Sequence, residues 1–345
     1  MPWQLGLDAL PALARGFALL GSGGGGRTTL LEQLARQGAG RWPIRVHTVD
    51  ELDLRIPCVA VGFAGSTLLL SERVPGDDPF EPLLRAAERW TGAAAAGVCA
   101  LEGAGLNGLT PLLLSDRLQL VDADLMGRAL PRIDQLSVLV DRVPGILVLC
   151  GTGGDGILVL DRARGADIEP IVRSALIQSG GVGAVAVAGF TVGDLRTHAI
   201  RDSYQRALRW GTTALRSGSR GPAGFAEQLG GRLLAVGQVQ RVESAAYDPM
   251  TSAAELIDDD GALVRLVARS ELLAVLRDGR LVAQSPEIIV AMDTISGAVL
   301  EVDDIRTAQH VDVIALPGPQ WWQQSPARLA AVQPAAFGLP GLESS

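Results

Sequence analysis

The chain has 345 residues, 48% of them hydrophobic and 20% charged. That exceeds one average domain, fills a large core and leaves too little charge for wholesale disorder. A formal net charge of -8 without a local basic stripe excludes a general nucleic-acid binder, whose affinity rests on neutralising phosphates.

Residues 4–20 carry apolar side chains at helical spacing: Leu5, Leu7, Leu10, Leu13, Phe17 and Leu20. The loop Gly21-Ser22-Gly23-Gly24-Gly25-Gly26-Arg27-Thr28 follows. Thr28 or Thr29 is placed to cap a second helix that Gly38 or Gly40 ends. Strands are expected at Ile44–Val49, Cys58–Phe63, Gly97–Leu101 and Gln119–Val121, and helices at Leu83–Trp90 and from Leu109. This alternation is the pattern of a layered α/β domain with a mostly parallel sheet. Ser137–Val140, Ile146–Cys150, Ile157–Leu160 and Val182–Val187 also read as strands. Ile168–Gln178 reads as a helix and Asp194–Leu215 as one long helix. Residues 218–224 read as a linker. Beyond Gly230, short strands joined by turns such as Asp260-Gly261 and Asp278-Gly279 predict a smaller β-rich, barrel-like domain. The division is therefore 1–229 and 230–345, with a tail from Pro317 wrapping a surface.

Five glycines in eight residues cost backbone entropy, which a loop accepts when its backbone must approach something closely. Gly21–Thr28 matches a phosphate loop except that Arg27 stands where lysine belongs. A helical pattern, not a strand, precedes it, so no nucleotide is expected. The alternatives are close backbone packing, or a small ligand cradled by the amides of Gly23, Gly24, Gly25 and Gly26. All 30 basic residues are arginine, which excludes a lysine Schiff base or general base.

Glu102 follows a strand and precedes a glycine turn, with Asn107 or Thr110 placed to cap the next helix. Asp122 and Asp124 follow another short strand, with Arg128 close behind. Carboxylates at the carboxyl ends of neighbouring strands converge at one rim, where α/β sheets bind ligands. Such a set suits acid–base work, or a divalent metal such as zinc. Cys58, Cys99 and Cys150 sit in apolar runs and read as buried thiols, although Cys150 before a glycine turn is a candidate nucleophile. His47, His198 and His310 share no metal-ligand spacing. The N-terminus makes a poor signal peptide and charged residues or glycines break every long apolar run, so a cytoplasmic location is expected.

The glycine loop, Glu102-Gly103-Ala104-Gly105-Leu106-Asn107 and Asp122-Ala123-Asp124-Leu125-Met126-Gly127-Arg128-Ala129-Leu130-Pro131 occur in that order. Together they resemble the DUF917 family, also called the S-methyl thiohydantoin desulfurase-like proteins. Ser270-Glu271-Leu272, Pro286-Glu287-Ile288-Ile289 and Ala336-Phe337-Gly338 continue the likeness. The resemblance implies an α/β domain followed by a β-rich domain, and hydrolysis of a five-membered cyclic amide, imide or thiohydantoin-like ring. On residue chemistry, Glu102, Asp122 and Asp124 are the expected catalytic carboxylates, and the glycine loop, Asn107, Arg128 and Glu271 the expected substrate contacts. A homo-oligomer or a hydantoinase-type partner is the implied assembly; a non-catalytic subunit or ligand sensor is the rival reading. The chain departs from the family at Arg27-Thr28, Arg269-Ser270 and Tyr247-Asp248-Pro249-Met250. Arg27 is thereby the expected contact for an anionic substrate group.

Overall fold

The computed structural model describes residues 2–38, 41–66, 69–70, 76, 78–153, 156–216, 221–245 and 248–339. Gly40, Gly154, Tyr247 and residues 218–220 of the expected linker lie outside them, while residues 221–224 of that linker open a helix. The first sheet contains β1 (Trp3–Leu5), β2 (Ile44–His47), β3 (Pro57–Gly65), β4 (Gly97–Ala100), β5 (Gln119–Asp124), β6 (Leu147–Gly151), β7 (Ile157–Asp161), β8 (Val182–Thr191) and β9 (Ile200–Arg201). Their order is β1-β2-β5-β4-β3-β8-β6-β7, with β9 added to β5. The centre, β2-β5-β4-β3, is parallel. The flanking pairs are antiparallel. Both faces of this centre are covered, which is why its strands read as unbroken apolar runs. Val59, Val61 and Phe63 enter one core, while Cys58 and Ala60 enter the other.

The helices are α1 (Leu10–Leu20), α2 (Thr29–Gln37), α3 (Glu81–Thr91), α4 (Gly105–Leu109), α5 (Ser137–Val140), α6 (Gly165–Gln178), α7 (Val192–His198), α8 (Ser203–Arg216), α9 (Gly221–Gln228), α10 (Gln320–Gln323) and α11 (Pro326–Ala330). α1 and α8 cross at very short range. A Cβ on Gly16 would overlap the Ala207 carbonyl, and one on Gly211 the Ala12 carbonyl. Phe17 and Tyr204 meet edge to face beside this crossing, with centroids 5.3 Å apart.

Several expected elements differ. The helix expected over 4–20 begins only at Leu10, because Trp3–Leu5 pairs with β2. Ser137–Val140 is a helical turn, not a strand: four apolar-rich residues carry too little periodicity to separate the two. The strand at Gln119 runs through Asp124, so both aspartates lie within β5. The single helix expected over Asp194–Leu215 is two. α7 ends at His198, β9 pairs with Ala123 and Asp124, and Asp202 turns in the left-handed region at φ 61 before α8. Asp202-Ser203 is a helix-start signature within an otherwise continuous apolar pattern.

The second sheet is antiparallel, in the order β14-β13-β12-β11-β10-β16-β15. It comprises β10 (Arg232–Ala245), β11 (Asp248–Asp258), β12 (Leu263–Arg269), β13 (Glu271–Arg277), β14 (Arg280–Gln284), β15 (Ile288–Asp293) and β16 (His310–Leu316). It curls into a half-barrel around Val239, Leu256, Leu266, Val275, Ile289 and Val313. The tail then straps the first domain. Trp322, fully buried, donates from Nε1 to the Met126 carbonyl at 2.8 Å, and Trp321 to the Thr197 carbonyl at 2.9 Å.

Candidate functional site

The glycine loop is gripped from both sides where the domains meet. On the first-domain side, Leu106 N–H donates to the Gly25 carbonyl at 3.0 Å. A Cβ on Gly25 would lie 2.9 Å from the Gly105 Cα, so the two glycines let two backbones touch. On the second-domain side, Leu272 N–H donates to the Ser22 carbonyl at 2.8 Å, and Val302 N–H to the Gly23 carbonyl at 2.7 Å. Close backbone packing, one of the readings open for this loop, is what its geometry displays.

Three of the four amides expected as an oxyanion cradle are engaged within the chain. Gly24 and Gly25 N–H donate to the Gly21 carbonyl at 2.9 and 3.2 Å, and Gly26 N–H to Glu301 Oε2 at 3.3 Å. Arg27 is engaged as well. Its side chain is 67% exposed and pairs with Asp304 at 2.8 Å. Thr28 stands at the N-cap position of α2 without a side-chain capping bond.

Asp122 and Asp124 are structural in their contacts. Asp122 Oδ1 accepts Tyr204 N–H at 2.6 Å and Oδ2 accepts Gln205 N–H at 3.4 Å, so a strand residue caps the start of α8. Burial pushes the Asp122 carboxyl up to about 6, against the pull of the Tyr204 N–H. Asp124 accepts the N–H groups of Met126 and Gly127 and the Ser203 hydroxyl. These oxygens are engaged by hydrogen bonds within the fold. Arg128, also expected at the carboxylates, donates instead to the carbonyls of Ala129, Glu287 and Leu272, the last at 2.7 Å. It thus ties the domains together. Burial lowers it to about 10, opposed by the charges of Glu271 and Glu102.

Glu102 and Glu271 do share the junction, and Glu301, which sequence reasoning missed, joins them. Glu102 follows β4 and is partly exposed. Asn107 Nδ2 donates to Glu102 Oε1 at 2.8 Å and to the Phe63 carbonyl at 2.9 Å, while its Oδ1 accepts Phe63 N–H at 2.7 Å. Asn107 therefore orients Glu102 and links α4 to β3; it caps no helix. Enclosure pushes the Glu102 carboxyl up to about 8; the Asn107 bond opposes this and the Asp124 charge adds to it. Glu271, at the start of β13, is 5% exposed. Burial holds its carboxyl well above the ordinary range, Glu102 adding to the rise and Arg128 opposing it. Burial pushes Glu301 up to about 7, against the Gly26 N–H bond. Glu301 carried no motif, and only its position opposite the loop reveals it.

No three His, Cys, Asp or Glu side chains are grouped to hold a metal ion among the described residues. The zinc expectation thus finds no donor set, and no step below runs through a metal. Cys150 is a poor nucleophile, since burial pushes its thiol up to about 11. An open cleft of about 1430 Å³ lies elsewhere, lined by residues including Val138, Asp141, Arg142, Arg162 and Arg328. Its Asp141 is already held by Arg328 and by His198, the latter at 2.6 Å. Size alone does not mark a reactive site, so the junction with its proton-holding carboxyls is the better candidate. No described helix is long and apolar enough to cross a membrane.

Comparisons with known proteins agree with this architecture. A crystal structure of a protein from Chromobacterium violaceum superposes with a TM-score of 0.76 at 23% identity, covering 99% of this chain and 98% of that one. At that identity the likeness speaks for the fold. No curated protein matches the chain. The family model described as S-Me-THD-like, N-terminal domain, matches residues 8–161, and its C-terminal counterpart matches residues 163–344. The two models together span nearly the whole chain, which belongs to the S-Me-THD-like family.

Proposed function

We propose that the protein hydrolyses a small five-membered cyclic amide, imide or thiohydantoin-like ring at the domain junction, with Glu102 as the proton carrier. The observation that carries this reading is the Glu102 carboxyl: partly exposed, oriented by Asn107 and poised to titrate at about 8. A carboxyl tuned near the working pH serves both as base and as acid. Glu102 takes a proton from water as the oxygen attacks the ring carbon. It returns that proton to the leaving atom, the sulfur of a methylthio group or the nitrogen of an amide. On a thiohydantoin-like ring the products are the ring carbonyl and methanethiol; on a cyclic amide, the opened carboxylate and amine.

The test uses hydantoin and S-methyl thiohydantoin as substrates. Glu102→Gln should lower kcat/KM by about 10²- to 10⁴-fold while leaving the protein folded. For the wild type, kcat/KM should rise with pH and level off above about 8, because the base must be deprotonated. A flat profile from pH 6 to 9, or a fully active Glu102→Gln variant, would remove Glu102 from the chemistry. The rival reading, a non-catalytic subunit or ligand sensor, draws support from the glycine-loop amides already spent within the chain. It predicts ring binding without turnover.

A further inference from the structure

We propose that the junction selects a ring whose substituent presents a protonated amine, with Glu271 as the residue that reads it, and that it rejects rings bearing a carboxylate. This rests on the reading of the junction as the ring-binding site and names the substrate class within it.

The first observation is the charge inventory. Three carboxyls reach the junction from three separate segments: Glu102 after β4, Glu271 at the start of β13, and Glu301. Arg128 is the buried cation among them, and its donors go to the carbonyls of Ala129, Glu287 and Leu272. Arg27, the other cation of the loop, is paired with Asp304. With all three carboxyls ionised, Arg128 would leave an uncompensated negative charge in a low-dielectric place. Such a site either keeps protons or takes up a cation. An anionic substituent would add to the imbalance.

The second observation is independent of charge. Glu271 Oε2 and Ser22 Oγ are buried and have no hydrogen-bond partner, and Ser270 Oγ is in the same state. Ser22 as a whole is 0% exposed. The three residues belong to segments that touch, since Leu272 N–H binds the Ser22 carbonyl and a Cβ on Gly24 would lie 2.7 Å from the Glu271 Cδ. Orphaned buried polar atoms call for a donor from outside the chain. An ammonium supplies three N–H donors and a positive charge, meeting both observations with one group. Gly24 and Ser270, in the same segments, and Glu102 are partly exposed.

The experiment is calorimetric titration of the full chain with three hydantoins of similar size at pH 7.5. They carry 2-aminoethyl, propyl or carboxymethyl at carbon 5, and ring opening is followed separately. The aminoethyl ring should bind about tenfold or more tightly than the propyl ring, and the carboxymethyl ring most weakly. Glu271→Gln should bring the aminoethyl and propyl affinities together; if that variant does not fold, Ser22→Ala should narrow the same gap. The proposal is overturned if the carboxymethyl ring binds as well as the propyl ring, if a folded Glu271→Gln keeps the amine preference, or if none of the three binds. An amine preference without ring opening leaves this inference standing and removes the hydantoin-opening form of the hydrolase reading. Ring opening of all three with equal affinity does the reverse.

Discussion

At the scale of single residues, the two aspartates show how a chemical pattern and a structural job share one signature. A carboxylate is the natural partner both for a reacting proton and for uncapped N–H groups at a helix start. Asp122 does the second job across sequence distance, accepting the Tyr204 N–H, while Asp124 accepts the N–H groups of Met126 and Gly127 and the Ser203 hydroxyl. Asp122→Ala should therefore cost about 1–2 kcal/mol of stability, read as a lower denaturant midpoint. Its kcat on hydantoins should stay within a few-fold of wild type once the folded fraction is matched. A hundredfold loss of kcat in well-folded protein would return Asp122 to the mechanism. Glu102 and Glu271 were visible beforehand because each sits in a motif beside glycine or a strand. Glu301 was not, because its meaning comes from a loop 275 residues away in sequence.

At the scale of elements, close approach does the organising. α1 and α8 pack backbone against backbone because Gly16 and Gly211 present no side chains there. Gly211→Ala puts a methyl group into the Ala12 carbonyl, and the helices must separate. The cost should be about 2–4 kcal/mol, with the unfolding temperature falling by several degrees in a thermal melt. An unchanged melt would mean that the crossing is looser than described. The strands of the first sheet were legible because burial on two faces writes continuous apolar runs. The break between α7 and α8 was not, because Asp202 and Ser203 interrupt the helix without interrupting its apolar periodicity. Short pieces such as Ser137–Val140 are ambiguous for the complementary reason: four residues hold barely one helical turn.

At the scale of the whole molecule, the two domains share an apolar core that takes in Ile288, Val290 and Ile314 of the second sheet, and polar ties that motifs do not encode add to it. Arg128 reaches the carbonyls of Leu272 and Glu287, and the loop from Ser22 to Gly26 is bonded to Leu272, Val302 and Glu301. The β-rich half was readable from its turns, but its curvature against the first domain depends on these long-range bonds. Arg128→Met should leave three carbonyls without their donor and should uncouple the domains. Unfolding should then show two transitions by calorimetry in place of one. A single, unshifted transition would mean that Arg128 contributes nothing to the junction.

The strap that ends the chain has a consequence for its birth on the ribosome. Every strand of the first sheet has been synthesised by Arg201, yet the Met126 carbonyl receives its indole N–H only when Trp322 emerges. Until then the apolar cluster that the indole joins, which includes Leu125, Met126, Leu130 and Leu195, lacks that member. Nascent chains ending before the strap should therefore be the ones that recruit chaperones, and truncating the last two dozen residues should yield aggregation in place of a smaller folded protein.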